Sequence, residues 1–191
     1  MTTKDDDILQ AAFRVFQRYG VKRSSMGDLA KEAGVSRQTV YNAFKNKDEI
    51  LRAMIRQYSQ KAVAELDAAL PEMDSLGAQL DLVFDKIALT PYDMIAASPN
   101  AEDIIEGFDR VSQEELNVAH ESYRVVIERI LTPHAEALAS AGQTPRELSD
   151  FVQRAAKAAK VGARDRAHLV TQLDTLRDLC LVASAQRAHA A

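Results

Sequence analysis

Tryptophan is absent from this chain of 191 residues, and cysteine occurs once, at Cys180. A single cysteine excludes an intramolecular disulfide and any multi-cysteine metal site. Glycine and proline are scarce, at 7 and 5 residues, too few for a fold built on many tight hairpins. No apolar run approaches the roughly 18 residues needed to cross a bilayer. The N-terminus, Met1 to Asp7, has neither a basic nor an apolar leader region, so no secretory signal and a cytoplasmic location are expected. What is present is alanine and leucine throughout, with 47% hydrophobic and 27% charged residues. That composition suits a soluble, all-α protein of one or two domains, long enough to bury a core.

The net charge of -4 hides an asymmetry. Residues 1–60 carry 11 Lys or Arg against 7 Asp or Glu, and the remainder 13 against 21. Between Arg14 and Arg56 the excess is sharper, 10 basic against 4 acidic. A basic head on an acidic body directs the search for nucleic-acid chemistry to the head.

Apolar periodicity divides the chain into about nine helices. The first places Leu9, Ala12, Phe13 and Phe16 on one face and stops at Gly20. A short second helix spans about 25–33, with Ser25 as cap and Asp28 in a capping-box position. Gly34 permits a turn. A third helix starts at the cap Ser36, with Val35 and Val40 at staple spacing. A longer helix follows over about 48–70, ended by Pro71, then another over 75–89. Pro91 and Pro99 predict an irregular connection over 90–100. Helices are expected over about 102–109, over 112–141 with a break at Pro133, over 146–161, and over 164–186. No convincing strand is found.

Residues 26–43 have the spacing of a helix-turn-helix. Small Ala30 falls where the two helices touch, Gly34 at the turn, and Val40 where the second helix packs back on the first. The second helix then presents Arg37, Gln38, Thr39 and Asn42 on its outward, N-terminal part. Arginine pairs with guanine, glutamine and asparagine with adenine, and threonine meets the thymine methyl. The same pattern also fits two packed helices with a solvated polar face.

The stretch from Gly20-Val21-Lys22-Arg23-Ser24-Ser25, through Leu29-Ala30-Lys31-Glu32-Ala33-Gly34-Val35-Ser36, to Val40-Tyr41-Asn42-Ala43-Phe44-Lys45-Asn46-Lys47-Asp48-Glu49-Ile50-Leu51 closely resembles the N-terminal domain of the Tet-repressor-like (TetR) family of bacterial transcription regulators. It covers about the first third of the chain. The resemblance implies that Ser25 touches a phosphate, that Tyr41 reaches the sugar-phosphate backbone, and that Lys47 contacts a phosphate at the start of the fourth helix. It makes Arg37, Gln38, Thr39 and Asn42 the base readers and Phe44 a core anchor. Two departures stand out. Asn42-Ala43 replaces an aromatic or histidine pair, and the arm before the first helix is short and acidic, against minor-groove reading.

The resemblance divides the chain into a DNA-binding domain over 1–47 and an effector-binding and dimerisation domain over 48–191. It places a four-helix dimer interface on the last two helices, where one stripe contains Phe151, Val152, Ala155 and Ala159 and another Leu169, Leu173, Leu176 and Cys180. The same stripes would equally serve a subunit's own core. The middle helices offer Phe84, Ile87, Met94, Phe108, His120, Tyr123 and Ile127 as an effector lining, suited to a small, mostly apolar ligand. Core packing of His120 and Tyr123 is the competing reading.

An enzyme is not expected. His120-Glu121 begins like a zincin helix, but Arg124 stands where the second histidine is needed, and no phosphate loop or nucleophile elbow occurs. Neither metal nor cofactor is expected. The leading expectation is a homodimeric repressor on a palindromic double-stranded operator, released by a small molecule. The alternative is a helical DNA-binding or protein-docking factor without an effector.

Overall fold

The computed structural model describes residues 3–185 and, among them, contains α-helices joined by short turns and no strand. Gln186, the expected end of the last helix, lies outside the described residues. The chain forms two compact units, one of residues 1–59 with 94–119, the other of 60–93 with His120 onward. These units do not follow a 1–47/48–191 division, because residues 94–119 pack with the N-terminal helices.

The first unit contains α1 (Thr3–Tyr19), α2 (Met26–Glu32), α3 (Arg37–Ala43), the start of α4 (Lys47–Ala69), α7 (Ala101–Val111) and the start of α8 (Gln113–Leu131). Its core is the expected apolar face of α1, with Leu9, Ala12 and Phe16 buried, closed by Leu29, Ala30, Val40, Phe44, Ile50 and Leu51. Ile104 of α7 completes it, and Phe108 packs on its edge. Gly20 ends α1 with φ +81°, its amide donating to the Phe16 carbonyl at 2.8 Å.

The second unit contains the rest of α4 and α8, α5 (Leu76–Phe84), the first turn of α6 (Thr90–Ala96), α9 (Ala135–Ser140), α10 (Pro145–Val161) and α11 (Arg166–Ser184). Pro133 breaks α8 from α9 through a 3-10 turn at Thr132–His134, as its missing amide requires. Thr144 caps α10 in a full capping box with Glu147.

The connection after α5 corrects the sequence reading. Instead of an irregular segment over 90–100, a wide π turn at Asp85–Leu89 leads directly into α6. Pro91 cannot donate to the carbonyl four residues back, and its ring would crowd that oxygen. The turn widens, so that the Thr90 amide donates to Asp85, five residues back. The Ile87 carbonyl instead accepts from Lys160 Nζ at 3.5 Å.

The stripe of α11 is covered from within its own unit. Leu169, Leu173, Leu176 and Cys180 are buried within their own unit, because α11 packs on α5, α9 and α10. Val152 of α10 is likewise sealed, while Ala155 and Ala159 are half-buried. The apolar side chains left exposed on α10 and α11 include Phe151, Val161, Leu179 and Val182, between 59% and 77% accessible.

Candidate nucleic-acid interface

The start of α2 is built by Ser25. Its backbone is extended (φ -121°, ψ 159°), its Oγ accepts from the Asp28 amide at 3.2 Å, and its own amide donates to Asp28 Oδ2 at 2.8 Å. The Ser25 hydroxyl also donates to Asp28 Oδ2 at 2.7 Å. That hydroxyl bond, followed by the amide bond, holds the Asp28 carboxyl below the usual carboxylate range. Any other acceptor at Ser25 therefore competes with Asp28 for the hydroxyl proton.

Gly34 makes the turn at φ +66°, a left-handed conformation that side chains resist. Ser36 then caps α3, accepting from the Thr39 amide at 3.1 Å, and its hydroxyl pairs with Thr39 Oγ1 at 2.9 Å. Thr39 thus has its hydroxyl engaged at the cap. Val40 is fully buried and Phe44 nearly so, which fixes the opposite side of α3 as its outer face.

Arg37, Gln38, Tyr41 and Asn42 are exposed on that face. Gln38 Nε2 donates to Asn42 Oδ1 at 2.8 Å, so two side-chain amides lie one turn apart in register. Arg37 rests its guanidinium over α2 at Gly27, where an added Cβ would fall 2.9 Å from its nitrogens. Sequence reasoning missed this seat; the only signal was a glycine inside a short helix with no turn to explain it.

Lys47 is placed differently from a free surface cation. Its Nζ donates to the carbonyls of Val21, at 2.5 Å, and Ser24, at 2.7 Å, bracing the loop before α2. The same loop meets α7: the Lys22 amide donates to Asp103 Oδ2 at 3.0 Å, and Arg23 donates to Asn100 Oδ1 at 3.0 Å. No periodicity in the sequence pointed to these partners.

The expected effector lining is dispersed. Phe84, Ile87, Tyr123 and Ile127 are buried in the second unit, with His120 half-buried there. Met94 and Phe108 belong instead to the first unit; Met94 offers its carbonyl to Gln17, and Phe108 packs against the head core. For Phe108 the reason is that α7 packs its apolar side on α1 and the head core. Burial, helped by the charges of Lys157 and Lys160, pulls His120 down to about 4. Burial also pushes the Tyr123 hydroxyl up, and the Cys180 thiol up to about 11. An open cleft of about 530 Å³ lies beside Arg18, Tyr19 and Lys31, and one of about 340 Å³ beside Ala137 and Leu179. Neither touches the expected lining.

Residues 8–54, which hold the capped helices, the Gly34 turn and the outward row of α3, match the model of the bacterial regulatory proteins of the tetR family. This N-terminal segment is similar to the tetR family. Its relatives include the transcriptional regulator TtgR of Pseudomonas putida, 33% identical over 87 residues, covering 43% of this chain and 41% of TtgR. The fatty acid metabolism regulator protein of Bacillus subtilis is 27% identical over 129 residues, covering 65% of this chain and 64% of that protein. The chain spans about two fifths of the length of the first curated relatives it matches. Family resemblance in fold extends further. The fatty acid degradation regulator FadR of Bacillus halodurans superposes with a TM-score of 0.68 at 17% identity, over 95% of this chain and 96% of its own. FadR of Bacillus subtilis, solved in complex with stearoyl-CoA, gives 0.60 at 20% identity, over 93% and 98%. Among the described residues, no helix is long and apolar enough to cross a membrane.

Proposed function

We propose that the chain is a sequence-specific DNA-binding transcriptional regulator, a homodimeric repressor released from a palindromic operator by a small ligand. The observation that carries this reading is the outward row of α3, where Arg37, Gln38, Tyr41 and Asn42 stand exposed on a helix fixed by its cap and its buried Val40. That face suits insertion into a major groove. Arg37, Gln38 and Asn42 read base edges, the Thr39 methyl meets thymine, and Tyr41 reaches the backbone. Ser25 and Lys47 meet phosphates at the starts of α2 and α4, Lys47 through the hydrogen left over from its two carbonyl bonds. The head, residues 1–47, supplies the reading surface, and the remainder supplies dimerisation and effector binding.

One head spans few base pairs, so tight binding requires two. The dimer face best supported is the exposed apolar part of α10 and α11, with Phe151, Val161, Leu179 and Val182 carrying the contact and Ala155 and Ala159 allowing close approach. The effector is small and mostly apolar, received among Phe84, Ile87, Tyr123 and Ile127. The ammonium groups of Lys157 and Lys160 near His120 add a preference for an anionic end. A long acyl chain with an acidic head, the chemistry bound by the Bacillus subtilis FadR structure, meets both requirements. Such a ligand acts by favouring a conformation that misplaces the two heads. The alternative, a DNA-binding or protein-docking factor without an effector, is favoured by the full burial of Ile127 and near-full burial of Phe84.

The test is selection of bound fragments from a genomic library at two salt concentrations, with an Arg37→Ala, Tyr41→Ala double variant beside the wild type. A palindromic site recovered by the wild type alone is expected, with affinity falling steeply as salt rises. Salt-sensitive recovery without a shared site, or no recovery, overturns the reading. Release of the recovered site by a long-chain acyl thioester or acid separates the ligand-responsive form from the alternative.

A further inference from the structure

The loop Gly20–Ser24 decides where α2 begins, since Ser25 is the cap that follows it. It has no helix of its own to hold it, and side chains from elsewhere in the same unit do so. From one side Lys47 takes the carbonyls of Val21 and Ser24. From the other, Asp103 of α7 accepts from the Lys22 amide at 3.0 Å. The fit is close: a Cβ on Gly20 would lie 2.5 Å from Asp103 Oδ2, and one on Gly107 would lie 3.3 Å from the Val21 side chain. Asp103 Oδ1 is buried and accepts no hydrogen bond, with Lys22 Nζ 3.8 Å away. A half-buried carboxylate, one oxygen sealed, thus sits against a backbone loop next to the proposed DNA surface, where its charge opposes DNA binding.

We propose that Asp103 is a positioning residue for DNA binding, its carboxylate locking the Lys22 amide so that the Ser25 end of α2 and the reading face of α3 meet the duplex together. This rests on the DNA-binding reading above. The argument is one of sign. On charge alone, removing an acid from this head strengthens DNA binding. A positioning role predicts the reverse.

Glu106 provides the control, one turn along α7. It takes the same Lys22 ammonium at 2.6 Å, but through an exposed side chain that does not touch the loop backbone. The experiment measures affinity of the full chain for its selected site with Asp103→Ala, Asp103→Asn and Glu106→Gln, together with melting temperature and hydrogen exchange at the Lys22 amide. Asp103→Ala is expected to bind about tenfold more weakly, the scale of one hydrogen bond lost. Its salt dependence should fall by about one phosphate contact, and its Lys22 amide should exchange faster. Asp103→Asn keeps an acceptor for that amide and is expected to restore binding, while Glu106→Gln binds as tightly as wild type or more so. If Asp103→Ala binds like Glu106→Gln, or Asp103→Asn is as weak as Asp103→Ala, the positioning role is overturned. If Asp103→Ala no longer melts as a folded protein, Asp103→Asn decides through its Lys22 exchange rate and affinity. Failure of the wild type itself to select a site overturns the DNA-binding reading instead, and is distinguishable because no variant is needed to see it.

Discussion

His120 is half-buried on α8, with the ammonium groups of Lys157 and Lys160 near enough to disfavour its protonation. In the unfolded chain it takes up a proton near its ordinary 6.5, whereas in the fold it does so only at about 4. Between those values the unfolded chain binds more protons, so stability falls as pH drops from 6.5 towards 4. Denaturant titrations over that range should show the loss, and His120→Gln should flatten it. Carboxylates held low by partners, such as Glu121 beside Arg124, lose their contribution at lower pH still. The position of His120 on the apolar face of a long helix was legible from periodicity. Its neutral state was not, because it depends first on tertiary burial and then on Lys157 and Lys160, which reach it from α10, 37 and 40 residues away in the chain.

At the scale of elements, the head illustrates which glycines a sequence explains. Gly34 and Gly20 were readable as turns, and both have positive φ. At Gly34 an added Cβ meets nothing within 4 Å, so Gly34→Ala should cost only backbone strain, about 1 kcal/mol. Gly20→Ala adds the collision with Asp103 and should lower the melting temperature further. Differential scanning calorimetry of the two variants checks the order. Gly27 and Gly107 sit inside helices, where φ gives no reason for them. Their purpose is close approach, of Arg37 to α2 and of Val21 to α7. The π turn before α6 is similar: Pro91 announced a disturbance, but not that the chain widens, nor that Lys160 from α10 meets the Ile87 carbonyl.

At the scale of the whole molecule, the apolar positions of α10 and α11 divide between two duties. Leu173 is buried within the subunit, so Leu173→Ala should cost about 3 kcal/mol of folding stability. Phe151 is 59% exposed and belongs to the proposed dimer face, so Phe151→Glu should leave the melting of the subunit little changed and shift sedimentation from dimer to monomer. Loss of stability in both variants with no change of assembly would place the dimer contact elsewhere.

Legible in the residues alone were the all-α class, the two caps of the helix-turn-helix, its Gly34 turn, its buried Val40 and the exposed polar row of α3. Each of these depends on residues within a turn or two of one another, and steric and capping rules act at that range. Packing between distant segments settles that α7 joins the head through Ile104 and Asp103, that Lys47 braces the loop before α2, and that the leucine stripe of α11 is buried in its own unit. An apolar stripe states that a helix face must be covered and says nothing of what covers it; that depends on which helices arrive there, and the partners come from distant parts of the chain.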